Sequence, residues 1–243
     1  MRKKLLTIIA CFSLTFSAFT SVGVTSAQAA TPKQWLQISP RTTYYGEVAN
    51  GKPHGKGTIK WGSDKIYSGT FVNGKRSGSG KYTNIYIDPQ TGRQHTVVYT
   101  GNWSGDTMSG SGTKIEKVTE IDGQPFSHGI QVGAFASNQL SRGYDVVHAK
   151  TDPDYSFSYR GASYRLDILG NNMSLVEDWK TGTLFDVKYR KNKISKSYSL
   201  FQGNTAAEEK ARLTSLKYLQ SKTSEVTPIL WQFKKISNRL TLK

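Results

Sequence analysis

The chain is almost without cysteine: of 243 residues one is Cys, Cys11, and it lies among the first 30. That excludes a disulfide framework and any cysteine-ligated zinc site. Acidic residues are scarce too, with Asp+Glu 17 against Lys+Arg 33 and a formal net charge of +16. At 36% hydrophobic and 21% charged residues, the composition fits neither a multi-pass membrane protein nor a charge-swollen disordered chain. Glycine is plentiful at 23 residues but has no Gly-X-Y period, so collagen is excluded. The length allows one or two small domains.

The N-terminus reads as an export signal over residues 1–29. Met1-Arg2-Lys3-Lys4 is a basic start, residues 5–24 are an apolar run diluted by Ser and Thr, and Ala27-Gln28-Ala29 is a small-x-small cleavage site. The alternatives are an uncleaved anchor, which needs about 20 apolar residues, and a lipoprotein box at Ile8-Ile9-Ala10-Cys11. Cleavage after Ala29 removes three cations and no acid, leaving a thiol-free chain of net charge +13 that begins with a lead segment, residues 30–43. Such a protein is expected to be secreted or held at the cell surface. Its charge favours polyanions: phosphate-rich wall polymers or anionic lipid headgroups, with nucleic acid the least suitable outside the cytoplasm.

Internal repeats organise the next part of the chain. Tyr44-Tyr45-Gly46 leads through Asn50-Gly51 to Gly55-Lys56-Gly57, and 23 residues later Tyr67-Ser68-Gly69 leads through Asn73-Gly74 to Gly78-Ser79-Gly80. A third copy, Tyr99-Thr100-Gly101 to Gly110-Ser111-Gly112, follows after a further 32 residues with its turn glycine displaced by one position. Each unit is a short strand, a tight turn and a return strand, which makes a β-hairpin of ~20 residues. Asn-Gly supplies the positive φ such turns require. The alternate glycines of the return strand share one face, where a neighbouring hairpin or a ring such as Tyr44, Tyr67 or Tyr99 can come close. One hairpin cannot bury its own apolar face, so the three are expected to stack into a short twisted ribbon.

These residues resemble the MORN (membrane occupation and recognition nexus) repeat, with its Tyr-x-Gly start, Asn-Gly turn and Gly-x-Gly return. The resemblance covers residues 44–115 and implies a hairpin ribbon, here bounded at 44–132, with protein binding or membrane association rather than catalysis. Copy three departs at Asp106, where the turn glycine belongs, and after the insertion 84–96, which lengthens the preceding hairpin around Asp88-Pro89 and Thr91-Gly92. A degenerate fourth unit is placed near Asp122-Gly123 and His128-Gly129.

From residue 133 to 243 the pattern changes to a β-meander with a C-terminal helical region. Segments 155–159, 163–169, 173–179, 183–190 and 194–201 read as strands. Tyr164, Leu166 and Ile168 share one face, as do Phe185, Val187 and Tyr189, with Asp186, Lys188 and Arg190 on a wet side. Thr205-Ala206-Ala207-Glu208 is a capping box opening a helix over about 205–221, with Leu213, Leu216 and Leu219 at helical spacing. Thr227-Pro228 then opens a second helix carrying Ile229, Phe233, Ile236 and Leu240, although Ile229, Trp231 and Phe233 also alternate like a strand. The fold class is therefore mainly β: a MORN-like hairpin ribbon, an antiparallel meander and one or two C-terminal helices.

Chemistry is thinly represented. Gly105 to Gly110 has glycine spacing like a phosphate-binding P-loop, but Ser111 follows where that mechanism needs lysine. His54, His95, His128 and His148 form no ligand pair. Asp152 and Asp154 flank a turn proline, Glu177 and Asp178 point to opposite faces of one strand, and Glu177 falls on the apolar face beside Trp179. No catalytic residue, metal or cofactor is assigned. Binding is better represented. Lys188, Arg190, Lys191, Lys193 and Lys196 crowd one hairpin turn, and Lys75 and Arg76 recur with Lys52, Lys56, Lys60 and Lys81 at turn and return positions. Trp61 and Trp103 offer an aromatic surface for sugar rings or a protein. The whole reads as a secreted, non-catalytic binding protein contacting an anionic envelope component. A cell-envelope hydrolase using the repeats for targeting, or a protein–protein scaffold, are the alternatives.

Overall fold

The computed structural model describes residues 32–242. The export signal at 1–29 lies outside the described residues. Among the described residues, thirteen strands form one antiparallel sheet in which each strand pairs with its neighbours in sequence. The repeat half contains β1 (Lys33–Ser39), β2 (Thr42–Ala49), β3 (Lys52–Trp61), β4 (Lys65–Val72), β5 (Lys75–Ile87), β6 (Gln94–Ser104) and β7 (Thr107–Thr119). The sheet continues through β8 (Pro125–Ala136), β9 (Gln139–Ala149), β10 (Tyr155–Arg160), β11 (Tyr164–Gly170), β12 (Asp186–Lys191) and β13 (Ile194–Ser199). Three helices complete it: α1 (Leu175–Thr181), α2 (Ala206–Gln220) and α3 (Thr223–Ser237).

The repeat hairpins form the expected ribbon. They join edge to edge, and the glycines set the join. Gly46, Gly57, Gly69, Gly80, Gly101, Gly112, Gly133 and Gly143 lie directly opposite one another across β2 to β9. Each repeat tyrosine lies over the glycine pair of its own hairpin: a Cβ on Gly57, Gly80 or Gly112 would collide with the ring of Tyr44, Tyr67 or Tyr99. The hydroxyl then donates to the carbonyl three residues on, Tyr44 to Glu47 at 2.6 Å, Tyr67 to Thr70 at 3.1 Å and Tyr99 to Asn102 at 3.0 Å. The two return-strand glycines, expected to share one face open to a neighbouring hairpin or ring, differ in role. Only the second meets the ring, whereas the first, as at Gly78 with φ +61°, holds the left-handed kink where the register shifts.

Between units the rings interlock edge to face. Tyr44 meets Phe71 at 5.2 Å, Phe71 meets Tyr67 at 5.1 Å, and Tyr67 meets Trp103 at 5.2 Å. Trp103 meets Tyr99 at 5.3 Å, and Tyr99 meets Phe135 at 5.0 Å. Such contacts contribute about 0.5–1.5 kcal/mol each beyond area burial. Phe135 reveals a fourth unit where the sequence reading did not place it. Gly133 and Gly143 continue the glycine row, Ser137-Asn138 makes the positive-φ turn, and Gln131 stands where a tyrosine would. Asp122-Gly123 is simply the turn from β7 to β8, and the expected domain boundary at 132/133 falls inside β8. The insertion does lengthen a hairpin: β5 and β6 pair out to Ile87 and Gln94, closed by an Asp88 carboxylate that accepts from Gln90 N and Thr91 Oγ1.

The buried face changes sides along the sheet. The row Tyr67, Tyr82, Tyr99 continues on the same face as Lys114, Gln131, Asp145, Ser158, Asp167 and Lys188. One residue over, on the opposite face, Ile115, Ile130, Val146, Phe157, Ile168, Val187 and Tyr198 run strand to strand. The helices cover this second face: α3 buries Val226, Leu230 and Phe233, and Phe233 sits 5.3 Å from Phe157 and 5.7 Å from Tyr144.

Segment 173–179 is not a strand: helix α1 begins within it at Leu175. Leu175 and Trp179, buried at i and i+4, fit both periods. The helical choice is fixed by Gly182, whose left-handed φ of +80° and N–H to the Asp178 carbonyl close the C-terminus. Glu177 therefore leaves the apolar face for solvent, beside Lys180 Nζ at 3.2 Å, and Met173 is 85% exposed. The Thr205 capping box forms with both bonds at 3.2 Å, and Leu219 is buried, but Leu213 faces solvent. Helix α3 starts at Thr223, four residues before the expected Thr227-Pro228, and the strand reading of Ile229, Trp231 and Phe233 fails because Trp231 is exposed. The strand expected over 183–190 begins only at Asp186.

Gly69→Val places a branched side chain 2.6 Å from the Gly80 Cα and against the Tyr67 hydroxyl. It should cost about 1–3 kcal/mol by overpacking, read as a lower melting temperature, while Tyr67→Phe should cost about 1 kcal/mol through the Thr70 carbonyl it leaves unpaired. Burial holds the Tyr67 and Tyr189 hydroxyls at about 12 against an ordinary 10.0. Folded values raised above unfolded ones mean that the unfolded chain ionises first. Their contribution to stability should be level below pH about 10 and be lost as pH climbs from about 10 to about 12, which a series of urea midpoints across that range would record.

Candidate functional site

Residues directly after each turn pair back onto the leading strand at one inward position: Pro53 opposite Val48, Arg76 opposite Phe71, Met108 opposite Trp103 and Leu140 opposite Phe135. Arg76 is the one cation in that apolar series. Its guanidinium carbon lies 4.2 Å from the Trp103 ring centroid and within 5.7 Å of the Trp61, Tyr67 and Tyr82 rings. Nε donates to Asp106 Oδ1 at 3.1 Å, Nη2 donates to the Asp106 carbonyl at 2.8 Å, and the Arg76 backbone N–H donates to the same carboxylate at 2.9 Å. Asp106 holds φ +72°, the backbone state of the glycine that it replaces. The two departures of the second and third copies thus answer each other across 30 residues of sequence.

Arg76 and Trp103 consequently belong to the packing: the Arg76 side chain is 18% exposed and Trp103 is buried. Trp61 is partly buried against the same cluster. Lys75 faces solvent at the turn, as do Lys52, Lys56, Lys60 and Lys81. Lys56, Lys60 and Lys81 stand on the face opposite the tyrosines, in register with Thr70, Thr43 and Ser68.

The C-terminal cluster divides between the two faces. Lys188 and Arg190 are exposed on β12, on the same face as the repeat tyrosines, with Lys188 Nζ 3.5 Å from Asp186. Lys191 instead straps the sheet to α3 through Glu225 at 2.8 Å, and Lys196 reaches the Tyr218 ring of α2 at 5.7 Å. Lys193 is exposed in the turn beyond. With seven strand spacings between β5 and β12, the Lys75 and Lys188 regions are separated by roughly 30 Å along the sheet. The two clusters are therefore distinct patches. Arg160 and Arg165, which pair strand to strand beside Arg190, escaped the sequence reading because register across the β10–β11 and β11–β12 connections carries no local signal.

Where the tyrosine row ends, a cleft of about 150 Å³ opens over β7 to β9, lined by Lys114, Glu116, Gln131 and Asp145 with Gly129 at its floor. Burial pushes Glu116 up, but the His95 hydrogen bond at 2.8 Å and the Lys114 charge outweigh it and leave the carboxyl below its usual range. Asp145 is raised by burial despite the Gln131 amide donating at 2.9 Å. His128 and His148 are cross-strand neighbours on the helix-covered face; burial lowers His128, and His148 lies flat on Tyr155 at 4.2 Å and 3.6 Å from Asp154. Among the described residues, no group of three or more His, Cys, Asp or Glu is arranged to hold a metal ion, and no helix is long and apolar enough to cross a membrane.

A sheet built from hairpins, each locked by a tyrosine over paired glycines, defines a hairpin-repeat protein. Its repeats are MORN repeats: residues 44–64, 67–84 and 99–115 match that family. Similar proteins include Alsin of Rattus norvegicus, 41% identical over 70 residues, and ALS2 C-terminal-like protein of Homo sapiens, 32% identical over 93 residues. MORN repeat-containing protein 3 of Xenopus laevis is 41% identical over 78 residues. These alignments cover 29%, 38% and 32% of this chain, and only 4%, 9% and 32% of the respective relatives. Such repeats suggest a binding or scaffold role.

Asp106→Ala strips two bonds from Arg76 and leaves its guanidinium among rings, which should cost about 1–3 kcal/mol. Arg76→Met, matching Met108 in the next unit, should cost less. In the double variant the two losses should fall short of additive, and denaturant melts of the four proteins measure that coupling.

Proposed function

We propose that the protein is a secreted, non-catalytic binding protein whose cationic surface holds it to an anionic component of the cell envelope, a wall polymer or lipid headgroups. The observation that carries the reading is where the positive charge goes after folding. Arg76 and Lys191 are spent on internal pairs with Asp106 and Glu225. Lys52, Lys56, Lys60, Lys75, Lys81, Arg190 and Lys193 are exposed and, among the described residues, have no carboxylate within ion-pair distance. The basic, apolar and small-residue order of residues 1–29 supports an extracytoplasmic location. A protein–protein scaffold is the second reading, favoured by Trp35, 71% exposed on β1 at the outer edge of the sheet and 4.9 Å from the Tyr45 ring.

Exposed charges attract over about 8 Å at physiological salt and about 3 Å at 1 M. Retention of the purified protein on isolated envelope material should therefore fall steeply between low salt and 1 M. A Lys56/Lys75/Lys81/Lys193 quadruple Glu variant should lose retention at an unchanged melting temperature. Equal retention across the salt series would remove the electrostatic reading and leave the Trp35 edge as the binding surface.

A further inference from the structure

The glycine row does not end at β9. Gly143 pairs with Arg160, Arg160 with Arg165, and Arg165 with Arg190, so β10, β11 and β12 set three arginines where the preceding eight strands set glycine. Adjacent strands lie about 4.8 Å apart, and like charges directly opposite each other destabilise a sheet. The row is only partly compensated: against the burial that raises the Asp145 carboxyl, the Arg160 charge acts to lower it. Arg165 Nε donates to Asp167 at 2.8 Å, whereas Arg190 is exposed with no carboxylate partner. Arg160 Nη1 donates to the Leu140 carbonyl at 3.3 Å, but its Nε is buried and has no hydrogen-bond partner. An unpaired buried guanidinium N–H costs free energy that a bound acceptor would return.

Above the row is a shallow basin of about 320 Å³, bounded by the three arginines and by Gly161 and Ser163 of the β10–β11 turn. All of this lies outside the residues that match the MORN repeat. Guanidinium groups offer forked donors that match the oxygens of phosphate bidentately. A planar carboxylate has two oxygens to offer three arginines, whereas a tetrahedral phosphate has three or four. We propose that Arg160, Arg165 and Arg190 form a binding site for a phosphate group, as a free phosphate, a phosphodiester of a polymer or a lipid headgroup. The inference rests on the anionic reading above and names the chemical group that is recognised.

The test follows the arginine Nε–H resonances of the full chain in 15N NMR during titration with inorganic phosphate, glycerol phosphate and acetate at constant ionic strength. Saturable shifts at Arg160 Nε with both phosphates, and none with acetate, are expected. Arg165→Gln and Arg190→Gln, at partly exposed and exposed positions, should each weaken phosphate binding roughly tenfold or more while the protein still melts cooperatively, and Arg190→Lys should weaken it less. Phosphatidylglycerol vesicles binding far more tightly than glycerol phosphate assigns the site to a membrane, and equal affinity assigns it to soluble or polymeric phosphate. Absent shifts at millimolar phosphate, or equal shifts with acetate, overturn the site. If envelope retention stays salt-dependent while phosphate leaves these resonances unmoved, the site fails and the broader reading stands; a saturable phosphate shift with salt-independent retention is the converse.

Discussion

Everything in the repeat half depends on one contact, the tyrosine ring laid across two glycines of adjacent strands with its hydroxyl on the carbonyl three residues ahead. The ring occupies the volume where a Cβ would stand, so both strands need glycine at that level. Because pairing a glycine against anything larger would evict the ring, the contact fixes register for the hairpin and for the next hairpin's approach. A one-residue slip would turn every inward side chain outward. The interlocked rings then pass this register from one unit to the next.

A thirteen-stranded sheet cannot be covered by the rings of three repeats, and the protein solves burial twice. Around β2 to β7 the tyrosine-bearing face carries its own aromatic cluster, and the opposite face, with Thr58, Ser68 and Lys81, stays wet. Phe135 and Leu140 close that cluster, and from β8 onward the main burial moves to the opposite face, under α1 to α3. The change occurs where Lys114 and Gln131 replace tyrosine in the row, and it opens the polar cleft between the two cores. The tyrosine-bearing face, freed of rings, is also the one on which Arg160, Arg165 and Arg190 emerge.

What the sequence revealed was local. Tyr-x-Gly, Asn-Gly and the Thr205 capping box each bring interacting atoms together within a few residues, and each was legible. Segment 173–179 was misread because Leu175 and Trp179 satisfy a period of two and a period of 3.6 equally; the Gly182 terminus decides between them. The fourth hairpin was displaced because Gln131 lacks the ring by which the repeat is recognised, although Gly133, Phe135 and Gly143 kept their places. Arg76 looked like surface charge because its partner, Asp106, comes from another hairpin, and Asp106 looked like a defect for the same reason. The arginine row was invisible since it exists only in the strand register.

The strictly sequential strand order has a kinetic meaning. No strand waits for a distant segment, so closure entropy stays small at every step and the sheet can assemble by successive addition of hairpins, as linear repeat arrays do. The two ends are unequal, however. Among the described residues, β1 at one end has a single neighbour and mostly exposed residues, whereas β13 is covered by α2. With so little buried at Lys33–Ser39, fraying is expected to start there and travel inward, and the helix-covered end to open last.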